Sequence, residues 1–150
     1  MKFVQLESPF AGEVSRNIRY AQMCMHDCLM RGEAPFASHL LYTQENVLDD
    51  DIEEERELGI DAGLEIGKHA ELTVVYVDFG VSKGMMYGIR RASELERPVV
   101  YRTLPMFRSH FLVDSKVNEV AKEIYVREGL SSVKDVWEKY PQLKGELQGA

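Results

Sequence analysis

One stretch of the sequence, Leu72–Arg102, constrains the fold more than any other. Its first part, Leu72–Val77, is a run of β-branched and aromatic residues that predicts a buried strand. A polar turn, Asp78–Lys83, follows, and Gly84–Leu95 then carries apolar residues at the spacing of one helical face. A second short apolar run follows Pro98. This order predicts two parallel strands joined by a right-handed crossover helix.

The rest of the chain up to Leu72 repeats this alternation of strands and helices. The predicted elements are strands at Lys2–Leu6 and Ala34–Ala37 and helices at Glu13–Arg31 and Ile52–Lys68. We therefore predict an α/β domain of Rossmann-like or flavodoxin-like architecture, with three layers and a parallel sheet. The sheet would have four strands, or five if residues 107–113 join it.

The character of the chain changes after Arg102. An irregular apolar segment, Thr103–Leu112, contains His110 and Phe111 and precedes two helices, one from Asp114 and one capped by Ser131. The last residues are predicted to be frayed. We expect a domain of residues 1–104 and a helical extension of residues 105–150 that packs on this domain or on a neighbouring subunit.

Composition excludes several classes of function. The chain has 150 residues, 45% of them hydrophobic, and a net charge of −7, so it can bury a core but does not suit a nucleic acid polymer. No apolar run is long enough for a membrane span and no signal-peptide pattern is present, which predicts a cytoplasmic protein. Cys24 and Cys28 lack a matching His or Cys pair, so buried thiols are favoured over a metal site, and we predict no cofactor.

Polar and glycine-rich loops follow each predicted strand. In a parallel sheet these loops meet at the carboxyl edge, where ligands of such folds bind. We expect a ligand site there, formed by Ser8, Pro9, Phe10, Gly12, Asn17, His39, Tyr42, Gln44, Asp78, Ser82, Gly84 and Met85.

Plainer interpretations of the same residues stay open. The loop from Ser8 to Gly12 is either an anion-binding loop before a helix or a tight turn. The acidic run around Asp49–Asp51 is either a solvated loop or a source of ribose contacts. His39 is either structural or part of the site.

The segments that begin the predicted helices carry a family resemblance. The sequences ESPFAGEVSRNIRYA, SHLLYTQ, LDDDIEEERELGIDAG and VSKGM resemble a phage and bacterial branch of the nucleoside 2-deoxyribosyltransferase-like superfamily. The resemblance covers about Lys2 to Arg102. It implies a pocket for a nucleoside, a nucleotide or an ADP-ribose-type ligand.

The chain departs from the superfamily at two positions. The enzymes carry an acid two residues before the first glycine of the turn, and a nucleophilic glutamate four residues after it. With that glycine taken as Gly84, these positions hold Ser82 and Gly88. Cleavage of the glycosidic bond needs a carboxylate, for which Asp78 and Asp50 are the candidates.

Three functional interpretations follow from the departures. We favour a binding protein that lacks the nucleophile, which in a phage could act against host defence by sequestering a nucleotide signal. The alternative is an active N-glycosidase or 2-deoxyribosyltransferase with a relocated carboxylate, and the third is an oligomeric scaffold with a vestigial pocket.

A homo-oligomer is expected on two further grounds. Gly59, Gly63 and Gly67 form a stripe that requires close packing by the sheet or by a helix of a second subunit. The C-terminal segment also carries more apolar surface than a four-strand sheet covers. The resembled enzymes are commonly oligomeric.

Overall fold

A computed structural model describes residues 1–107 and 113–148 of the chain. Its strands are β1 (Lys2–Glu7), β2 (Glu33–Phe36), β3 (Leu72–Tyr76), β4 (Val99–Arg102) and β5 (Glu146–Gln148). Its helices are α1 (Val14–Met30), α2 (Ser38–Leu41), α3 (Glu53–Gly67), α4 (Lys83–Glu94), α5 (Val113–Glu128), α6 (Val133–Lys139) and α7 (Pro141–Lys144), with a 3₁₀ turn at Pro105–Phe107.

The strands form one parallel sheet in the order β2-β1-β3-β4-β5, which confirms the predicted α/β class. The fifth strand that the structure describes is β5. Most of the predicted fifth strand, residues 107–113, lies outside the described residues: residues 108–112, with His110 and Phe111, are not described, while Phe107 ends a 3₁₀ turn and Val113 begins α5. The last residues, ending in Gly149-Ala150, are predicted to be frayed. Of the described ones, residues 146–148 instead pair with β4, and the Thr103 amide donates to the Gln148 carbonyl at 2.9 Å.

Successive side chains of each strand point to opposite faces of the sheet, and helices cover both faces. Val4, Leu6 and Val74 pack with Tyr20 and Cys24 of α1 on one face. The opposite face contacts α3, α4 and the C-terminal helices, and its apolar core lies between β3, β4 and these helices. The C-terminal segment thus packs on this sheet and adds a strand to it. The division at residue 104 stays a prediction.

The structure confirms only part of the inner face that apolar spacing predicts for helix α1. Of the predicted residues, Ala21 and Cys28 are buried; the full predicted set is Val14, Ile18, Ala21, Met25, Cys28 and Leu29. The buried residues of α1 also include Asn17 and Tyr20, whereas Val14 and Leu29 are 40% and 52% exposed. Counting apolar residues misses this orientation because polar partners of Asn17 and Tyr20 lie inside the fold.

Two helix boundaries near the C-terminus also differ from the prediction. The cap of α6 is Ser132 rather than Ser131, since the Ser132 hydroxyl accepts from the Asp135 amide at 3.3 Å. Pro141 ends α6 as expected, but it also begins the short helix α7. Within the described ranges, no helix has the length and apolar composition that a membrane crossing requires.

Candidate functional site

A cavity of about 180 Å³ opens beside the carboxyl end of β1. Its floor is formed by β1, and its walls by α2, α3, the first half of α4 and the loops after β1 and α2. This volume is below the roughly 300–1,000 Å³ of pockets that hold drug-sized ligands. A ligand of nucleotide size would therefore place one part inside the cavity and extend into its mouth.

The structure brings most of the predicted site residues together at this cavity. Ser8 and Ser82, which belong to loops after different strands, both line it. The other predicted residues in its lining are Phe10, Asp50, His39, Tyr42, Gly84 and Met85.

Four predicted residues lie near the cavity without lining it. Asn17 is buried, and its amide donates to the carbonyls of Phe10 and Ala11 at 2.8 and 3.1 Å, which fixes the loop after β1. Pro9 is buried within that loop, and Gly12 turns it with a φ of +92°. Gln44 is exposed and donates to a backbone carbonyl of α2.

Asp78 is not part of the cavity lining. Its carboxylate accepts from the Tyr20 hydroxyl at 2.6 Å and from the Leu104 amide at 3.0 Å. These contacts join α1 to the segment that follows β4. In this position Asp78 has a structural role, and its place in the fold does not favour it as the relocated carboxylate.

The amino end of α4 forms one wall of the cavity. The Ser82 hydroxyl accepts from the Met85 amide at 3.3 Å, so Ser82 caps the helix as predicted. Gly84 leaves this wall open, because a Cβ placed there would meet only the Ser82 hydroxyl at 3.9 Å. With the exposed Lys83 beside it, this helix end suits an anionic group such as a phosphate.

Ser8 and His39 form a hydrogen-bonded pair in another wall. The Ser8 hydroxyl and His39 Nε2 lie 2.8 Å apart. Burial lowers the pKa of His39 to about 4, so its imidazole is neutral at pH 7. A base this weak activates a serine poorly, and the pair is better suited to holding a ligand hydroxyl.

The cavity floor holds a carboxyl group, Glu7, that the sequence-based site omitted. Glu7 is 9% exposed, and among the described residues no cation lies within ion-pair distance of it. Its Oε1 accepts from the Gln5 amide at 3.3 Å. Burial raises the pKa of Glu7 to about 8, against smaller opposing effects of the Gln5 hydrogen bond and the Arg97 charge. Glu7 is therefore mainly a neutral carboxylic acid at pH 7.

Two helix glycines make room for the polar side chains of β1. A Cβ placed on Gly88 of α4 would overlap the Glu7 carboxyl group and would lie 3.0 Å from Glu7 Cγ. A Cβ placed on Gly67 of α3 would likewise overlap the Gln5 amide oxygen. The Glu7 carboxyl group thus occupies the place where a side chain at position 88 would begin.

The rest of the α3 glycine stripe also packs within the chain. A Cβ placed on Gly63 would lie 2.5 Å from the Cβ of Ser38 of α2, and one placed on Gly59 would contact Leu48 and Tyr42. The glycine stripe was expected to pack either within the subunit or against a helix of a second subunit. These contacts show packing within one subunit. The stripe no longer supports an oligomer, which stays a prediction.

Strand alternation was the signal that could have identified Glu7. The sequence-based strand ended at Leu6, which placed Glu7 in the loop. In the structure β1 continues through Glu7, so Glu7 faces the same side of the sheet as Gln5.

Comparison with known proteins identifies the family. The chain belongs to a family of domains of unknown function, DUF7768, whose model matches residues 2–102. No curated protein matches the chain. Among solved structures, it is similar to a 2-deoxyribosyltransferase from the psychrotolerant bacterium Bacillus psychrosaccharolyticus. The two are 21% identical with a TM-score of 0.48, over 67% of this chain and 72% of that chain.

Proposed function

We propose that the cavity beside β1 binds a nucleoside or nucleotide, including ADP-ribose-type ligands. The observation that carries this proposal is the convergence of loops from three parts of the chain on one cavity at the carboxyl end of the sheet. The deoxyribosyltransferase-like motifs identified in the sequence lie in these loops, around Ser8, Ser38 and Gly84.

Each wall supplies a contact of a different kind. The neutral His39 and Ser8 offer hydrogen bonds to sugar hydroxyl groups, and the amino end of α4 with Lys83 offers an anion site. Phe10 and Tyr42 present aromatic surface to a base. A negatively charged ligand would therefore point its phosphate toward Lys83.

Sequestration of a host defence nucleotide by a phage protein is the more specific form of this proposal. It requires that the ligand leaves the cavity intact. That form depends on the resemblance and on Gly88 alone.

Calorimetric titration with a defined panel tests the binding proposal. The probes are 2′-deoxyadenosine, 2′-deoxycytidine, their 5′-monophosphates and ADP-ribose. We expect saturable binding of at least one probe, with a stoichiometry of about one per chain and about tenfold weaker binding by His39→Gln, a loss of about 1.4 kcal/mol. The matched control is His26→Gln, since His26 is exposed on α1 outside the cavity lining. Absence of heat and of thermal stabilisation with every probe would reject the proposal.

A further inference from the structure

The Glu7 carboxyl group lies beside position 88 of α4, where the sequence has a glycine in place of the superfamily's glutamate. The superfamily enzymes that the chain resembles carry their carboxylate on the helix that corresponds to α4, where this chain has Gly88. The Glu7 carboxyl group reaches the same point from the neighbouring strand β1, and the missing Cβ of Gly88 makes the space that it fills.

We propose that Glu7 is a catalytic residue of the cavity and that the protein hydrolyses the N-glycosidic bond of a nucleoside or nucleoside 5′-phosphate. This inference rests on the proposed binding of a nucleoside or nucleotide, because it needs the sugar and base of such a ligand to lie over Glu7, and it replaces sequestration of an intact ligand with cleavage. It assigns the relocated carboxylate to β1 rather than to Asp78 or Asp50.

The position of Glu7 on the cavity floor supports this role. The group is fixed on a strand inside the sheet, with Gln5 on one side and α4 on the other, and it lines the cavity rather than the core. Gln5 lines the cavity beside Glu7. It is 4% exposed, and its Oε1, which has no hydrogen-bond partner in the described part of the chain, packs against Gly67 of α3.

The protonated form of Glu7 defines its part in the reaction. Glu7 donates its carboxyl proton to a ring nitrogen of the base, and the C1′–N bond breaks with its electron pair going to the base. The resulting carboxylate stabilises the positive charge that develops at C1′. A water oxygen then bonds to C1′ and loses a proton to solvent, from which Glu7 is protonated again. The products are the free base and the sugar with a hydroxyl group at C1′.

The raised pKa of Glu7 suits this step. General acids work best when their pKa lies near the working pH, and burial holds this one at about 8. A nucleophilic role would need the carboxylate before the bond breaks, which is the minor form at pH 7. The other titratable and charged side chains around the cavity are His39 on α2, Tyr42 and Asp50 in the loop after α2, Glu55 and Arg56 on α3, Lys83 and Tyr87 on α4, and the buried Arg97.

Release of free base, measured by chromatography with the same panel of probes, tests the assignment. We expect the unmodified protein to release base from at least one probe that it binds. Glu7→Gln should keep the affinity within about threefold and slow the release at least about 100-fold. The matched control is Glu57→Gln, since Glu57 is exposed on α3 outside the cavity lining, and its rate should equal that of the unmodified protein.

A measurement on the unmodified protein covers the case in which Glu7→Gln fails to fold. The rate of base release should be constant below about pH 8 and fall about tenfold per pH unit above it, as the acid loses its proton. A rate that stays constant to pH 10, or a Glu7→Gln rate within threefold of the unmodified protein, would overturn the assignment.

The binding and cleavage claims fail in different ways. Binding of a probe that is recovered intact would reject catalysis by Glu7 and leave the proposed binding function standing. Absence of binding by every probe would reject both.

Discussion

Two buried glutamates, on opposite faces of the sheet, differ in what surrounds them. Glu33, at the start of β2, accepts two hydrogen bonds of 2.7 Å from Arg102, close to Cys28 of α1. Glu7, at the end of β1, accepts one of 3.3 Å from Gln5 and lines a cavity. The Glu33 carboxylate also lines a groove, but it is neutralised by its ion pair with Arg102, whereas Glu7 is buried without an ion pair among the described residues.

The difference indicates which of the two serves a function. A buried charge is tolerated when it is paired, as Glu33 is with Arg102. Packing alone does not account for a carboxyl group that is buried, lines a cavity and has no ion pair among the described residues, and such groups concentrate at functional sites. Glu7 therefore stands out from the other acidic side chains that the structure describes.

The largest expected effect in this comparison concerns Glu33. Glu33→Gln leaves the Arg102 guanidinium buried with only a neutral partner, so we expect a loss of about 3–5 kcal/mol in the free energy of unfolding. Urea denaturation measures it. Glu138→Gln, which removes an exposed pair with Lys134 at 3.7 Å, should change this free energy by less than about 1 kcal/mol. Equal effects of the two substitutions would mean that the Arg102 pair is not a core element.

The corresponding substitution at Glu7, Glu7→Gln, should raise the free energy of unfolding rather than lower it. The pKa of Glu7 is raised from 4.5 to about 8, so between these values the unfolded chain loses a proton that the native chain keeps. Stability contributed by Glu7 is therefore complete below pH 4.5 and lost as the pH rises to 8. Relative to the unmodified protein, Glu7→Gln should gain up to about 3 kcal/mol at pH 7 and little at pH 5.

Urea denaturation at pH 5 and pH 7 checks this gain. A difference between Glu7→Gln and the unmodified protein that does not change with pH would show that Glu7 is ionised in the native state. Glu7 and Glu33 would then both be ionised, and they would not differ in protonation state.

A smaller effect tests the fit between Glu7 and α4. Gly88→Ala places a Cβ on the Glu7 carboxyl group and should destabilise the protein by about 1–3 kcal/mol, although alanine favours a helix. The loss should shrink or reverse in a Glu7→Ala background, because the two side chains no longer overlap. Gly84→Ala, with its nearest neighbour at 3.9 Å, is the control and should change stability little.

Much of the fold and part of the site were predictable from the sequence. The strands with β-branched residues, such as Leu72–Tyr76, and the Ser82 cap lie where the pattern placed them. Topology then brings loops that are distant in the sequence, such as those of Ser8 and Ser82, to one cavity. Local sequence patterns predict the strands and the helix cap, and the connection rules of parallel sheets predict that these loops meet at one edge.

The rest depended on contacts between distant segments. Strand β5 is three residues long and has no β-branched residue, so pairing with β4 rather than propensity forms it. Strand alternation could have placed Glu7 on the same face as Gln5, but the close approach of its carboxyl group to Gly88 of α4 depends on the fold. A glycine in a helix and a glutamate at a strand end are unremarkable until the fold brings them together.

The protonation state of Glu7 is the most direct test of the account. The measurement is an NMR titration of the glutamate side-chain carboxyl carbons in the unmodified protein, with Glu7→Gln to assign the resonance. We predict one resonance that titrates near pH 8, is absent from Glu7→Gln and shifts when a bound probe from the nucleotide panel is added. A Glu7 resonance that titrates near the ordinary value of 4.5 and does not respond to the probe would contradict the account.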